Sequence, residues 1–443
     1  MRLRDHWKKV FWAYMDRSLP LLYGLGFVFL VVRRLPKEEY GLYALAFAFL
    51  MIALNLQKNF LFDGLIRYLA PKDAPTRSLV TASLAFAFVI TLAFTVALLA
   101  FRMILEHIFD APGFAAIVPL IVLVFVVYLL RDYCVTFLSV RIQSLRIFGV
   151  DLAYYGPVFV LLAVASFRGQ LQTAADVFRI NLIASLFSLA VGLALSSFYW
   201  RPELKLSRDA FRKLSNFGKY NFAAGVGFSL QGELDTIVLG AVLNPIAVAT
   251  YSSGKIFFKF YNLQDQLLQQ VGYPALCRAH SQEDPKLRLD LTEKMMAYST
   301  MAIWVASALL LILAHPVMNW IYHGLYPEAP TVFSILVLGT FVTPMNTIAS
   351  LSYAAADRLR TRVTMTFTHV ALLAVATIVG VYGGQLYGVA VGVAVVPWIM
   401  VGFHWHQMRK FLPLTVTGIA RRWGDVRALR EILKSWRSTS SRQ

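Results

Sequence analysis

Long uninterrupted apolar runs, each closed by a short polar stretch, dominate the chain; residues 85–100 and 115–130 are two of them. A half-buried strand, or the wall of a membrane β-barrel, would alternate apolar and polar residues with period two. These runs do not alternate. Blocks of about 20 apolar residues match the length of helix needed to cross about 30 Å of hydrocarbon at 1.5 Å per residue. The pattern predicts an all-α integral membrane protein with about twelve transmembrane helices. They are placed at 11–32, 40–62, 79–101, 115–140, 149–167, 178–199, 217–243, 246–275, 296–315, 331–354, 363–382 and 386–408. The eighth is the least hydrophobic.

Composition agrees: 58% of the 443 residues are hydrophobic and 15% charged, against 45–50% and about 25% in soluble domains. The net charge of +18 would suit nucleic acid if it were clustered on one folded domain. Instead it alternates with the loops. About 31 Lys and Arg fall on the side of both termini and about 5 on the other. That asymmetry predicts cytoplasmic termini and makes the charge a topological signal that also attracts anionic membrane lipid. Nucleic acid is not an expected partner. The basic start, from Arg2 to Lys9, lacks a small-residue cleavage site and is read as leading into an uncleaved first helix. Cys134 and Cys277 lie in apolar segments, and no metal-ligand spacing, catalytic constellation or cofactor motif is present. The loops opposite the termini are short, the longest spanning about residues 315–330.

A weak internal repeat pairs Leu35, Gly41 and Tyr43 with Leu243, Ala249 and Tyr251, an offset of about 208 residues. Phe11 and Tyr14 recur near that offset as Phe217 and Tyr220. Six helices per repeat is an even number, so both halves insert in the same orientation and are expected to face each other across a central cavity. The predicted organisation is an N-terminal six-helix lobe (1–200), an inter-lobe cytoplasmic loop (201–216), a C-terminal six-helix lobe (217–410) and a basic cytoplasmic tail (411–443). In the tail, Leu429, Leu433, Trp423 and Trp436 among basic residues suit a surface helix on anionic lipid.

Charged side chains inside apolar spans cost about 2.5–3.5 kcal/mol at the helix centre, so they face a partner or an aqueous cavity. Arg17, Lys58, Arg131, Lys255 and Lys259 are such residues. Ser252, Lys255, Lys259, Asn262, Gln266 and Gln269 follow 3–4 spacing and would form one polar stripe on a continuous eighth helix. A central cationic cavity built from these groups suits an anionic cargo. Substrate contacts are therefore assigned to Arg17, Lys58, Arg131, Lys255, Lys259, Asn262 and Gln266. Snorkelling of Lys58 to the interface, a structural pair of Lys259 with Asp265, and an acid on a neighbouring helix beside Arg131 are the bland alternatives. Glu233, Asp235 and Asp265 are candidates for Na⁺ or H⁺ coupling, or counter-ions to the lysines. Prolines 20, 157, 274, 344 and 397 permit kinks that shape a cavity.

The run Leu35-Pro-Lys-Glu-Glu-Tyr-Gly-Leu-Tyr-Ala-Leu and the segment Phe62-Asp-Gly-Leu-Ile-Arg-Tyr-Leu resemble the start and end of the second helix in bacterial polysaccharide transporters. These are the lipid-linked oligosaccharide (O-antigen type) flippases of the multidrug/oligosaccharidyl-lipid/polysaccharide (MOP) exporter superfamily. Leu234-Asp-Thr-Ile-Val-Leu-Gly and Val248-Ala-Thr-Tyr-Ser-Ser-Gly-Lys-Ile resemble the second-lobe signature, with Ala249 where glycine is usual. The resemblance implies a V-shaped pair of lobes, alternating access, and flipping of undecaprenyl-pyrophosphate-linked oligosaccharide to the periplasmic leaflet of the bacterial inner membrane. It places the chain in lipopolysaccharide or exopolysaccharide biosynthesis, beside a polymerase or glycosyltransferases of the same pathway. Lipid II flippases are similar but carry two further helices. A membrane glycosyltransferase or polymerase is the rival enzyme reading, disfavoured by the short outer loops. An ion-coupled exporter of another solute is the rival transporter.

Overall fold

The computed structural model describes residues 3–69, 76–141, 143–197, 207–258, 261, 264–265, 268–281 and 285–423. Every regular element among them is helical. In chain order these are α1 (Leu3–Phe27), α2 (Lys37–Gln57), α3 (Asp63–Leu69), α4 (Thr76–Ile108), α5 (Phe114–Val140), α6 (Ser144–Phe167), α7 (Ala174–Ser196) and α8 (Arg208–Val242). Then follow α9 (Pro245–Lys255), α10 (Tyr273–Ser281), α11 (Pro285–Tyr322), α12 (Ala329–Thr340), α13 (Thr343–Ala355), α14 (Leu359–Met408) and α15 (Val416–Trp423). Among the described residues, eight helices are long and apolar enough to span a membrane. A ninth span forms if α12 and α13, bent by 44° where Pro344 opens α13, count together. The outer faces carry exposed Phe88, Val89, Ile312 and Val375, as a surface solvated by lipid requires.

α14 holds two of the predicted spans. Its helical geometry fails at Gly384 and at Gln385, which takes φ 47°. The chain turns back there, and the two arms press Gly380 against Gly388 and Gly392 against Ala376, backbone to backbone. Any side chain on those glycines would force the arms apart. The predicted seventh span lies within α8, which is too polar to pass on composition alone.

The eighth predicted span is not one continuous helix. α9 stops at Lys255 and passes into a 3₁₀ turn, Ile256–Phe258; a π-turn at Leu268–Gly272 then leads into α10. The 3.6-residue period is interrupted after Lys255 and again from Leu268, within the stripe inferred across 252–269. Of its members, Lys259, Asn262 and Gln266 lie outside the described residues.

The repeat is visible in the elements. α2 and α9 begin at Lys37 and Pro245, the same offset of about 208 residues found in the sequence. Lys58–Phe62 is a π-turn before the short α3, as Leu268–Gly272 is before α10. α1, α5, α6 and α7 pack together in one half; α11, α12, α13 and α14 pack together in the other. α2 runs between them, along α5 on one side and α8 and α9 on the other.

The 33–39 motif explains itself at the end of the molecule remote from the termini. Pro36 precedes α2 and Glu38 and Glu39 occupy its first turn, where acids complement the helix dipole. Glu39 Oε2 also accepts from Ala174 N at 2.7 Å, capping α7. The Tyr40 ring packs on Tyr326 at 6.1 Å. Gly41 lies directly on the Pro245 backbone, with no room for a Cβ. Asn244 caps α9 through Ala247 N at 2.8 Å. Further along, Leu45 and Phe109 fill the space over Gly240.

One continuous apolar core joins both halves at this remote end, from Phe27 and Tyr43 to Tyr251, Tyr326 and Phe333. At the opposite end each half has a separate core. One holds Leu61, Tyr133 and Leu214, the other Met296, Tyr353 and Met400. α8 leans on the first of these through Phe222 against Phe60 and Phe211 against Phe86. α15 straps onto α11: Trp423 meets Trp304, and Arg422 bonds Asp290 and Glu293. The described part of the predicted tail thus packs on protein; the rest, 424–443, lies outside the described residues.

Candidate functional site

The buried charges divide into three groups. In the N-terminal half, Arg131 on α5 is buried and held on every side. Its Nη1 bonds Asp132 at 3.0 Å, its Nη2 bonds Asp151 on α6, and its Nε donates to Ser188 Oγ on α7 at 3.0 Å. Ser188 Oγ in turn donates to Val150 O at 2.6 Å. The rings of Tyr128 and Tyr154 lie 5.6 Å from the guanidinium. A buried guanidinium with its donors used this fully is a structural node.

Beside this node a cavity of about 540 Å³ is lined by Asp16, Arg17, Lys58, Asp132 and Asp151, with hydroxyls of Thr136, Ser139 and Ser144. Arg17 reaches it from α1 and Lys58 from the first residue of the π-turn; both are exposed. A π-turn re-aims the side chains that follow it and recurs at functional positions. Its lining carries two cations, Arg17 and Lys58, and three carboxylates, of which Asp132 and Asp151 pair with Arg131. Asp16 Oδ1 is buried without a hydrogen-bond partner.

At the start of the C-terminal half, Lys255 is paired. Its Nζ bonds Asp235 Oδ1 at 2.7 Å and Gly232 O at 2.5 Å. Tyr251 donates to Asp235 Oδ2 at 2.6 Å, and Glu233 lies close enough to act on the lysine. The counter-ion reading of Asp235 holds in this geometry. The lysine side chain keeps 28% exposure, so one face of the pair stays open.

The third group lies inside the C-terminal half. A cavity of about 250 Å³ between α8, α13 and α14 is lined by Asp265, Asn346, Thr347, Ser350 and Arg362, among others. Asp265 accepts from Thr347 Oγ1 at 2.9 Å; the pair with Lys259 weighed above falls on a residue outside the described ones. Arg362 donates from Nε to Ser350 Oγ at 3.1 Å and sits 5.4 Å from the Phe228 ring.

Two residues of the first cavity escaped the sequence reading, Asp16 and Asp151. Asp151 is the one charged residue within the predicted span 149–167, which was signal enough. Arg362 was counted as a loop charge, one residue short of the predicted eleventh span. No group of His, Cys, Asp and Glu side chains among the described residues could hold a metal ion.

The helical order, the paired halves and the polar cavities set within an apolar envelope define a multi-pass membrane protein. The sequence profile of the family "Polysaccharide biosynthesis protein" matches residues 30–329, and the chain belongs to that family. Among solved structures, the lipid II flippase MurJ in an inward closed conformation superposes with a TM-score of 0.73 at 12% identity. That match covers 94% of this chain and 89% of that one. An inward-facing multidrug resistance MATE transporter of the MOP superfamily gives 0.67 at 14% identity, covering 93% and 99%. A MOP superfamily transporter from Pyrococcus furiosus Vc1 gives 0.58 at 14%, covering 90% and 94%. The fold is thus shared with these transporters. No curated protein sequence matches the chain.

Proposed function

We propose that this protein is a flippase carrying undecaprenyl-pyrophosphate-linked oligosaccharide from the cytoplasmic to the periplasmic leaflet of the bacterial inner membrane. Both termini are cytoplasmic in this reading, so the sealed remote end faces the periplasm. The observation that carries it is the first cavity. It places Arg17 and Lys58 inside the membrane-spanning part of a polysaccharide-biosynthesis family member, toward the end where the halves have separate cores. A pyrophosphate entering from the cytoplasm meets both cations before it leaves water. Their charge offsets its desolvation, which in an apolar interior would otherwise be prohibitive. The lobes of residues 1–200 and 217–410 then rock about the α2–α8–α9 contact, and the remote end opens.

Coupling to Na⁺ or H⁺ falls to acids with spare capacity. Asp235 is committed to Lys255, while Glu233 lies beside that lysine and Asp16 Oδ1 is buried with no hydrogen-bond partner among the described residues. Arg131 supports the site from behind, and Lys255 holds α9 to α8. Polymerases or glycosyltransferases of a lipopolysaccharide or exopolysaccharide pathway would handle the flipped product.

A deletion strain tests this. Surface polymer should vanish while lipid-linked repeat units accumulate on the cytoplasmic face, and the wild-type gene should restore export. A plasmid copy carrying Arg17→Ala with Lys58→Ala should reach the membrane and fail to restore it. Full export from that double variant would overturn the assignment.

A further inference from the structure

The C-terminal cavity holds a feature the pyrophosphate site does not explain. Arg362 is largely buried and has no ion-pair partner among the described residues. Its one directional bond to a described side chain runs from Nε to Ser350, and the Phe228 ring covers the guanidinium. That arrangement fixes the plane of the fork and leaves its Nη pair to be matched. Two parallel N–H donors fit a planar carboxylate bidentately.

A second orphan lies in the same cavity. Asn346 donates from Nδ2 to Pro397 O at 3.0 Å, which fixes the amide orientation, and its Oδ1 is buried with no donor. Asp265 accepts from Thr347 through Oδ1, and its carboxylate adds acceptor capacity to the same cavity wall. The cavity therefore offers one planar cationic fork together with two acceptors that require O–H donors. A bare cation fails this pattern, because it would meet Arg362. An apolar or cationic drug fails it for want of hydroxyl donors. A ring with one carboxylate and several hydroxyls satisfies both orphans, and about 250 Å³ is room for one ring rather than a chain of them.

We propose that the cavity between α8, α13 and α14 is a subsite for a single acidic sugar of the uronate type. Arg362 takes the carboxylate, and Asn346 and Asp265 accept from ring hydroxyls. The inference rests on the flippase reading and adds to it a selectivity for saccharides that carry a uronate. Arg362 is a binding residue and Ser350 a positioning residue.

The experiment uses the full chain in lipid nanodiscs, with saturation-transfer NMR on glucuronate, glucose and inorganic phosphate. Pyrophosphate binding is followed in parallel by ³¹P line broadening. Glucuronate should show transfer and glucose little. Arg362→Gln should weaken glucuronate by about tenfold or more, the scale of one lost charge-assisted bond. Arg362→Lys should recover part of the affinity, because it returns the charge without the fork, and Ser350→Ala should weaken it several-fold. Neither Arg362 variant should alter pyrophosphate broadening, whereas Arg17→Gln with Lys58→Gln should. Equal transfer to glucose and glucuronate overturns the proposal. So does displacement of glucuronate by equimolar phosphate, or undiminished glucuronate binding in Ser350→Ala and Arg362→Lys. Absent glucuronate binding with normal pyrophosphate broadening removes the subsite and leaves the flippase reading standing. Absent pyrophosphate broadening in the wild type counts against that reading instead.

Discussion

At the scale of single residues, Arg131 and Lys255 are paired within the protein, whereas Arg17 and Lys58 line an open cavity. Arg131 is bound by two carboxylates and a serine, so Arg131→Ala would strand Asp132 and Asp151 in a low-dielectric site. Breaking one partner of a buried ionic cluster costs about 3–5 kcal/mol. The expected outcome is a clear fall in melting temperature in detergent and in membrane abundance. Arg17→Ala should leave both near normal and lower export, which immunoblotting and polymer staining would distinguish. Lys255→Ala belongs with Arg131: it leaves Asp235 buried with Tyr251 as its side-chain donor. Combining it with Asp235→Asn should return abundance toward wild type, and failure of that rescue would show the pair is not the lysine's role. The sequence exposed each of these cations, because an ionisable residue in an apolar run is conspicuous, although Asp16 and Asp151 escaped it. It did not separate them, since Asp151 stands twenty residues and one helix away from Arg131. Partnership between helices leaves no trace in spacing along one of them.

At the scale of elements, the apolar runs were legible because bilayer thickness dictates their length, and the hairpin at Gly384–Gln385 fell between predicted spans eleven and twelve. The break after Lys255 was not legible. Residues 252–269 keep a helical period in sequence, and nothing in hydropathy distinguishes a straight helix from one interrupted by 3₁₀ and π turns. The start of α2 was legible as a motif, and the structure supplies its reason. Gly41 sits where α2 and α9 touch through backbone atoms. Gly41→Val should wedge this contact open. A cysteine placed at Leu45, fully buried in the wild type, should then react with a membrane-impermeant maleimide added from the periplasm. Labelling no faster than in the Gly41 background would show that the contact is not the seal. Conversely, cysteines at Pro36 and Asn244 should, when oxidised, hold the remote end shut and stop export until reduced.

At the scale of the whole molecule, the asymmetry of lysine and arginine predicts the orientation. A cytoplasm-active reporter fused after Gln443 should report and a periplasm-active one stay silent; the reverse would invert the direction of transport assigned here. The two-fold character of the fold was faintly visible as five paired residues, and it persists in the helix starts and paired π-turns because backbone geometry outlasts side-chain identity. The joint at the remote end has one more consequence. Gly41 on Pro245, Leu45 over Gly240, Tyr40 on Tyr326 and Phe29 on Trp320 are all uncharged contacts, and no ion pair among the described residues crosses them. Dispersion fades within an ångström of separation, so such a joint has no half-open position; beyond Lys37, 5.7 Å from the Tyr326 ring, it gives ionic strength little to loosen. It behaves as a dry latch, sprung by leverage from the far ends of the helices, where the charges are.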